Sequence, residues 1–178
     1  GKYVPFDREP PDKIETITIA PGAHHFTKRW LPERFAELID RLNDKYDARI
    51  MLLGGKGDRD ISEYIAETAT TTVDNSCGET SLSGTAELID DSDLLITNDT
   101  GIMHIGAARQ TYLAAIFGST VTDFGFAPYR CRYVIIEKDV PCRPCTHIGR
   151  ASCPKKHFNC MKYISVDAVM DGVGRLAG

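Results

Sequence analysis

Apolar positions along the chain fall into two rhythms that take turns. Short runs at Ile14 to Ala20, Arg49 to Leu53, Leu94 to Thr97, Tyr112 to Phe117 and Tyr133 to Ile136 have the length of strands, and the first two stop at Pro21-Gly22 and Gly54-Gly55. Between them the spacing changes to that of helices. Phe35, Leu38, Ile39 and Leu42 stand at i, i+3, i+4 and i+7, and Pro32 suits the first turn of that helix. Ile61, Tyr64 and Ile65 mark a second helix. Leu82, Ala86 and Ile89 mark a third, with Thr80 or Ser81 as its cap. Small residues over 102–109 give a fourth, and Val166, Val169, Met170 and Val173 a terminal one. A weak, Thr-rich strand is expected near Thr71 to Val73.

Strands that alternate with helices and read as continuous apolar runs predict a parallel sheet covered on both faces. The expectation is an α/β fold with a doubly wound, Rossmann-like parallel sheet. A length of 178 residues suits one such domain with a sizeable core. Residues 1–13 are polar and carry Pro5, Pro10 and Pro11, so they read as a linker to something else, with the domain over 14–178. No internal repeat is visible.

Composition narrows the function classes. With 42% hydrophobic and 26% charged residues, the chain is ordinary globular material. A net charge of −4 argues against a sequence-independent nucleic-acid binder, which needs a basic face. No apolar run approaches the roughly 20 residues of a membrane span, and the start lacks a signal-peptide pattern. The expectation is a soluble, intracellular chain with no transmembrane segment and no nucleic-acid partner.

Sheets of this kind bind ligands beyond the carboxyl ends of their strands. Four loops fall there: Gly22 to Lys28, Gly54 to Asp60, Asn98 to His104 and Gly118 to Phe126. The third is the most informative. A strand, the polar turn Asn98-Asp99-Thr100-Gly101 and a helix N-terminus form an anion site, because the first N–H groups of a helix lack internal partners. Thr100 adds a hydroxyl, Asp99 a carboxylate, and His104 sits one turn into the helix. Lys28 in the first loop is a candidate phosphate ligand. His24 and His25 read as loop histidines rather than metal ligands. Gly54-Gly55-Lys56-Gly57 lacks the G-x-x-x-x-G-K-[ST] spacing and no G-x-G-x-x-G occurs, which disfavours nucleotide hydrolysis and dinucleotide redox chemistry.

The cysteines raise a separate question. Cys142, Cys145, Cys153 and Cys160 are spaced C-x2-C-x7-C-x6-C, with His147 and His157 among them, in an insert at about 140–162. In a reducing compartment this favours a structural zinc knuckle over disulfides, with free or variably oxidised thiols as the other reading. Cys77 and Cys131 look like ordinary packed thiols.

Ala20-Pro21-Gly22-Ala23, Lys28-Arg29-Trp30, Leu52-Leu53-Gly54-Gly55, Gly78-Glu79-Thr80-Ser81-Leu82 and Asn98-Asp99-Thr100-Gly101-Ile102-Met103-His104 together resemble glycosyltransferase family 9, the ADP-heptose:lipopolysaccharide heptosyltransferases and their relatives. The likeness runs from residue 14 to about 130. It implies the C-terminal, donor-binding half of a GT-B enzyme that transfers a sugar from a nucleotide-diphosphate sugar, ADP-heptose-like, to a lipopolysaccharide core acceptor. Lys28, Asp99, Thr100, Gly101 and His104 match its donor-binding positions, and Asp58 falls near an acidic position that holds the nucleoside. His24 is included with them, although Ala23 and His24 replace paired hydroxyls found in some members. The resemblance also implies a general base on an N-terminal domain that binds the lipid A–core acceptor, so that none of the residues here is catalytic. It implies no cofactor for catalysis, and a cytoplasmic location at the inner membrane of a Gram-negative bacterium. A non-catalytic nucleotide-binding module and half of a sugar-nucleotide epimerase are the alternatives.

Overall fold

A computed structural model describes residues 11–177. Residues 1–10 of the expected linker lie outside the described residues. Six strands, β1 (Thr16–Ala20), β2 (Arg49–Leu52), β3 (Asp74–Asn75), β4 (Leu94–Asn98), β5 (Tyr112–Phe117) and β6 (Tyr133–Glu137), pair in the order β3-β2-β1-β4-β5-β6. All the pairings are parallel. The strand order reverses between β1 and β4, so the loops leaving those two neighbours part to opposite sides and open a crevice.

Helices α1 (Pro32–Tyr46), α2 (Arg59–Thr68) and α6 (Val166–Ala177) cover one face, and α3 (Leu82–Asp90) and α4 (Gly101–Ala108) the other. The two faces share each strand by alternation. On β4, Leu94 and Ile96 join the first layer and Leu95 the second. The stripe read for α1 is fully buried at Phe35, Leu38, Ile39 and Leu42, and Pro32 opens that helix. Ser81 caps α3 by accepting from the Gly84 N–H at 3.1 Å.

Three elements depart from expectation. The third strand lies at Asp74–Asn75 instead of Thr71 to Val73. It pairs with β2 only through Met51↔Asp74 and Leu52↔Asn75, a polar edge with no apolar pattern to announce it. Leu82, read as part of a core stripe, is 76% exposed. A one-turn helix α5 (Asn159–Lys162), which the sequence pattern did not suggest, packs Cys160 and Met161 under the sheet. Among the described residues no helix is long and apolar enough to cross a membrane.

Candidate functional site

Asn98, the last residue of β4, ties the crevice together. Its buried amide donates to the carbonyls of Pro21 at 2.8 Å and Gly22 at 3.3 Å, and its Oδ1 accepts from the Trp30 N–H at 3.2 Å. One side chain thus holds both ends of the loop leaving β1. Trp30, fully buried, donates its indole N–H to the Ile164 carbonyl at 3.1 Å.

Asp99 follows at the mouth. Its carboxylate is 3% exposed and takes the Lys28 ammonium at 2.7 Å on Oδ2. The same oxygen accepts the Thr120 hydroxyl at 2.7 Å. Thr120 is fixed in turn, because its carbonyl accepts from Arg143 Nη2 at 2.8 Å and Nε at 3.1 Å. Lys28 also lies 5.7 Å over the Phe126 ring.

Two cavities meet at the start of α4. Thr100 is the N-cap of this helix in extended conformation, and no side chain caps it. The N–H groups of the first turn are therefore left for a ligand. The first cavity, of about 370 Å³, has Asp58 and the glycines of the first two loops on one side and Thr80, Ser81, Leu82, Ile102 and Ile105 on the other. Asp58 accepts from the Gly55 N–H at 2.9 Å and lies against Gly22 so closely that an added Cβ there would sit 2.1 Å from its carboxyl carbon. Thr80 and Thr85 share a hydroxyl hydrogen bond of 2.8 Å. The second cavity, of about 260 Å³, is lined by His24, His25, Lys28, Asp99, His104 and Phe126. His24, Thr100 and Gly101 border both.

Every donor-site residue named from the sequence therefore lines one of these cavities: Asp58 the first, Lys28, Asp99 and His104 the second, and His24, Thr100 and Gly101 both. Sequence reasoning placed Asn98 in the turn after β4 and Thr120 and Phe126 in a loop at the crevice, but missed what each does. All three act through contacts with residues distant in the chain, which no local pattern reveals. Leu82 had a signal: on α3 it is an apolar residue beside a serine cap, where the chain turns out toward the crevice.

The structure does not support the zinc expectation. Cys142, Cys145, Cys153 and Cys160 border one small pocket, and none of them is in a disulfide. No group of three or more His, Cys, Asp or Glu side chains among the described residues could hold a metal ion. Cys142 instead meets His157 Nε2 at 3.7 Å, and Cys160 is carried into the core on α5. Burial, with the neighbouring thiols, pushes Cys160 up to about 11.

A parallel sheet of this order, with two adjoining cavities at its switch point, agrees with the sequence comparison. The profile of glycosyltransferase family 9 (heptosyltransferase) matches residues 6–156. The chain belongs to that family. Lipooligosaccharide heptosyltransferase 2 of Campylobacter jejuni subsp. jejuni serotype O:6 is 30% identical over 166 residues, covering 90% of this chain and 51% of the relative. The solved ADP-heptose lipopolysaccharide heptosyltransferase II of E. coli superposes with a TM-score of 0.76 at 25% identity, over 94% of this chain and 47% of that one. A family 9 glycosyltransferase structure from Veillonella parvula shares the fold with a TM-score of 0.79 at 24% identity, over 92% of this chain and 46% of that one. The chain spans about half the length of the relatives it matches.

Proposed function

We propose that this family 9 chain is the donor-binding half of a GT-B heptosyltransferase, seating a nucleoside diphosphate sugar of the ADP-heptose kind. The observation that carries the reading is the meeting of two unlike cavities at one uncapped helix start. The larger suits a nucleoside: Leu82, Ile102 and Ile105 offer apolar surface to a base, and Asp58 offers a carboxylate to ribose hydroxyls. The smaller suits the diphosphate, between Lys28, three imidazoles and the first turn of α4.

Transfer of the sugar would expel a nucleoside diphosphate while positive charge grows on the ring. Lys28 and the α4 N-terminus stand where charge on the leaving group would collect, and groups already oriented stabilise it without reorganising. No catalytic base is assigned to this half. The base and the lipopolysaccharide-core acceptor site belong, in this reading, to an N-terminal domain joined through residues 1–13, at the cytoplasmic surface of the inner membrane. The names of the relatives support the acceptor class.

Titration of this chain with ADP in a calorimeter tests the site. Lys28→Ala should weaken binding by about 1.5–3 kcal/mol, as loss of a charge-assisted hydrogen bond does. Equal affinity in the two proteins would remove Lys28 from the site. Transfer itself should require the N-terminal half, and turnover by the 178-residue chain alone would refute the division of labour.

A further inference from the structure

The second cavity has an unusual charge balance. Its lysine is already matched, since the Lys28 ammonium lies 2.7 Å from the buried Asp99 carboxylate and their formal charges cancel. A diphosphate diester brings two further negative charges, one on each phosphate. Besides Lys28, the side chains lining this cavity that can become positive are His24, His25 and His104. Imidazole is the side chain whose charge ordinarily changes near neutral pH.

His24 and His25 form a unit. Their ring centroids are 4.7 Å apart and the rings meet edge to face. His25 is pinned from behind by the 140–162 segment, where an added Cβ on Gly149 would fall 2.5 Å from the His25 Cβ. The groups facing the pair are Lys28 on their own loop, Asp99 and Thr100 on the turn after β4, and His104 on α4. Asp58 lies in the adjoining cavity, which His24 also borders. The Arg29 guanidinium is turned to the Ala23 carbonyl at 2.7 Å, and Arg150 directs its Nε to the Cys145 carbonyl.

We propose that binding a nucleoside diphosphate sugar at this site takes up one proton onto the His24–His25 pair, which makes donor affinity rise as pH falls. The inference rests on the donor-site reading above. Two rings at this spacing repel when both are charged, so a proton on one disfavours a proton on the other. Burial first, then His24 and Lys28, hold His25 below the ordinary imidazole value, so the unliganded ring is neutral at neutral pH. An anion against the pair favours the charged form. Affinity therefore increases as pH drops through the imidazole range of the complex, and levels off once the free protein is itself protonated. The pair is a positioning device for the diphosphate, not a catalytic group.

The test is calorimetry with ADP-glucose, a diester that lacks the phosphate monoester proton ionising near pH 6. Titrations at about pH 6 and about pH 8, in buffers of unlike ionisation enthalpy, read affinity and proton uptake together. The expected result is about tenfold tighter binding at the lower pH, with net uptake of a proton. The double variant His24→Gln/His25→Gln should lose that ratio, and His104→Gln should keep it. Flat affinity with no uptake in the unaltered chain overturns the proposal while leaving the donor site intact. So does a ratio that survives in the double variant and vanishes in His104→Gln. Absence of binding at both pH values overturns the donor-site reading itself. The buffer comparison needs no variant, so a folding defect in the double variant leaves the test decisive.

Discussion

The Lys28 ammonium and the Asp99 carboxylate meet at 2.7 Å, with Asp99 almost wholly buried and Lys28 mostly so. Removing one partner strands the other. Lys28→Met should lower stability by about 3 kcal/mol in urea denaturation, because it leaves a buried carboxylate without its cation. The pair Lys28→Met/Asp99→Asn should recover most of that stability, yet bind ADP no better than Lys28→Met. A double variant as unstable as the single one would show that the ion pair is not the cause.

Asn98 makes a second prediction. Asn98→Ala removes three hydrogen bonds and leaves the Pro21 and Gly22 carbonyls and the Trp30 N–H without the partner described here. At about 1 kcal/mol for each bond, the loss should be near 3 kcal/mol. Trp30 is the sole tryptophan and fully buried, so its fluorescence reports the loop directly. A red shift in the variant under native conditions is expected. An unchanged emission maximum with unchanged stability would mean that Asn98 does not hold the loop.

Gly22→Ala tests the first cavity. A methyl group placed 2.1 Å from the Asp58 carboxyl carbon must displace that side chain or the loop. Overpacking of this kind costs about 1–3 kcal/mol. Adenosine affinity should fall in Gly22→Ala and in Asp58→Asn alike. Full nucleoside affinity in both variants would remove Asp58 from the ribose site.

Much of this arrangement was legible in the chain. Continuous apolar runs at Leu94 to Thr97 and Tyr112 to Phe117 become central strands because burial on both faces demands apolar residues without alternation. Pro32 and the Phe35–Leu42 stripe gave α1 because a helix must hide one face. The turn at Asp99–Gly101 was legible for a similar reason, as a polar break between a buried strand and a helix. Contacts made at a distance were not. Thr120 finds Asp99 across 21 positions and Asn98 finds Pro21 across 77, and neither contact carries a local mark. The cysteine spacing brings all four sulfurs to one pocket, but spacing does not set the mutual geometry that a metal requires.

The thiols yield a prediction about pH. Burial pushes Cys77 and Cys131 up to about 11, and burial with nearby thiols does the same to Cys160. A thiol whose folded value is raised stays neutral while the unfolded chain ionises first. Stability should therefore be constant up to the ordinary thiol range and decline as pH rises from there toward 11. Alkylation at about pH 8 should spare these three until the protein unfolds, since the thiolate is the reactive form. Rapid native labelling of Cys77, followed by mass spectrometry of its peptide, would contradict the assignment.

Arg143 reaches from the cysteine-bearing segment to the carbonyls of Gly118 and Thr120 and to the Glu137 carboxylate. Thr120 then holds Asp99, and Asp99 holds Lys28. The insert is in this sense the scaffolding of the phosphate cavity, although Arg143 does not line it. Harm done there, whether by sulfur oxidation or by substitution in the turn around Arg143, would register first as weakened ligand affinity at residues the damage never touches. Loss-of-function variants scattered through 140–162 should then cluster, biochemically, with those of the crevice.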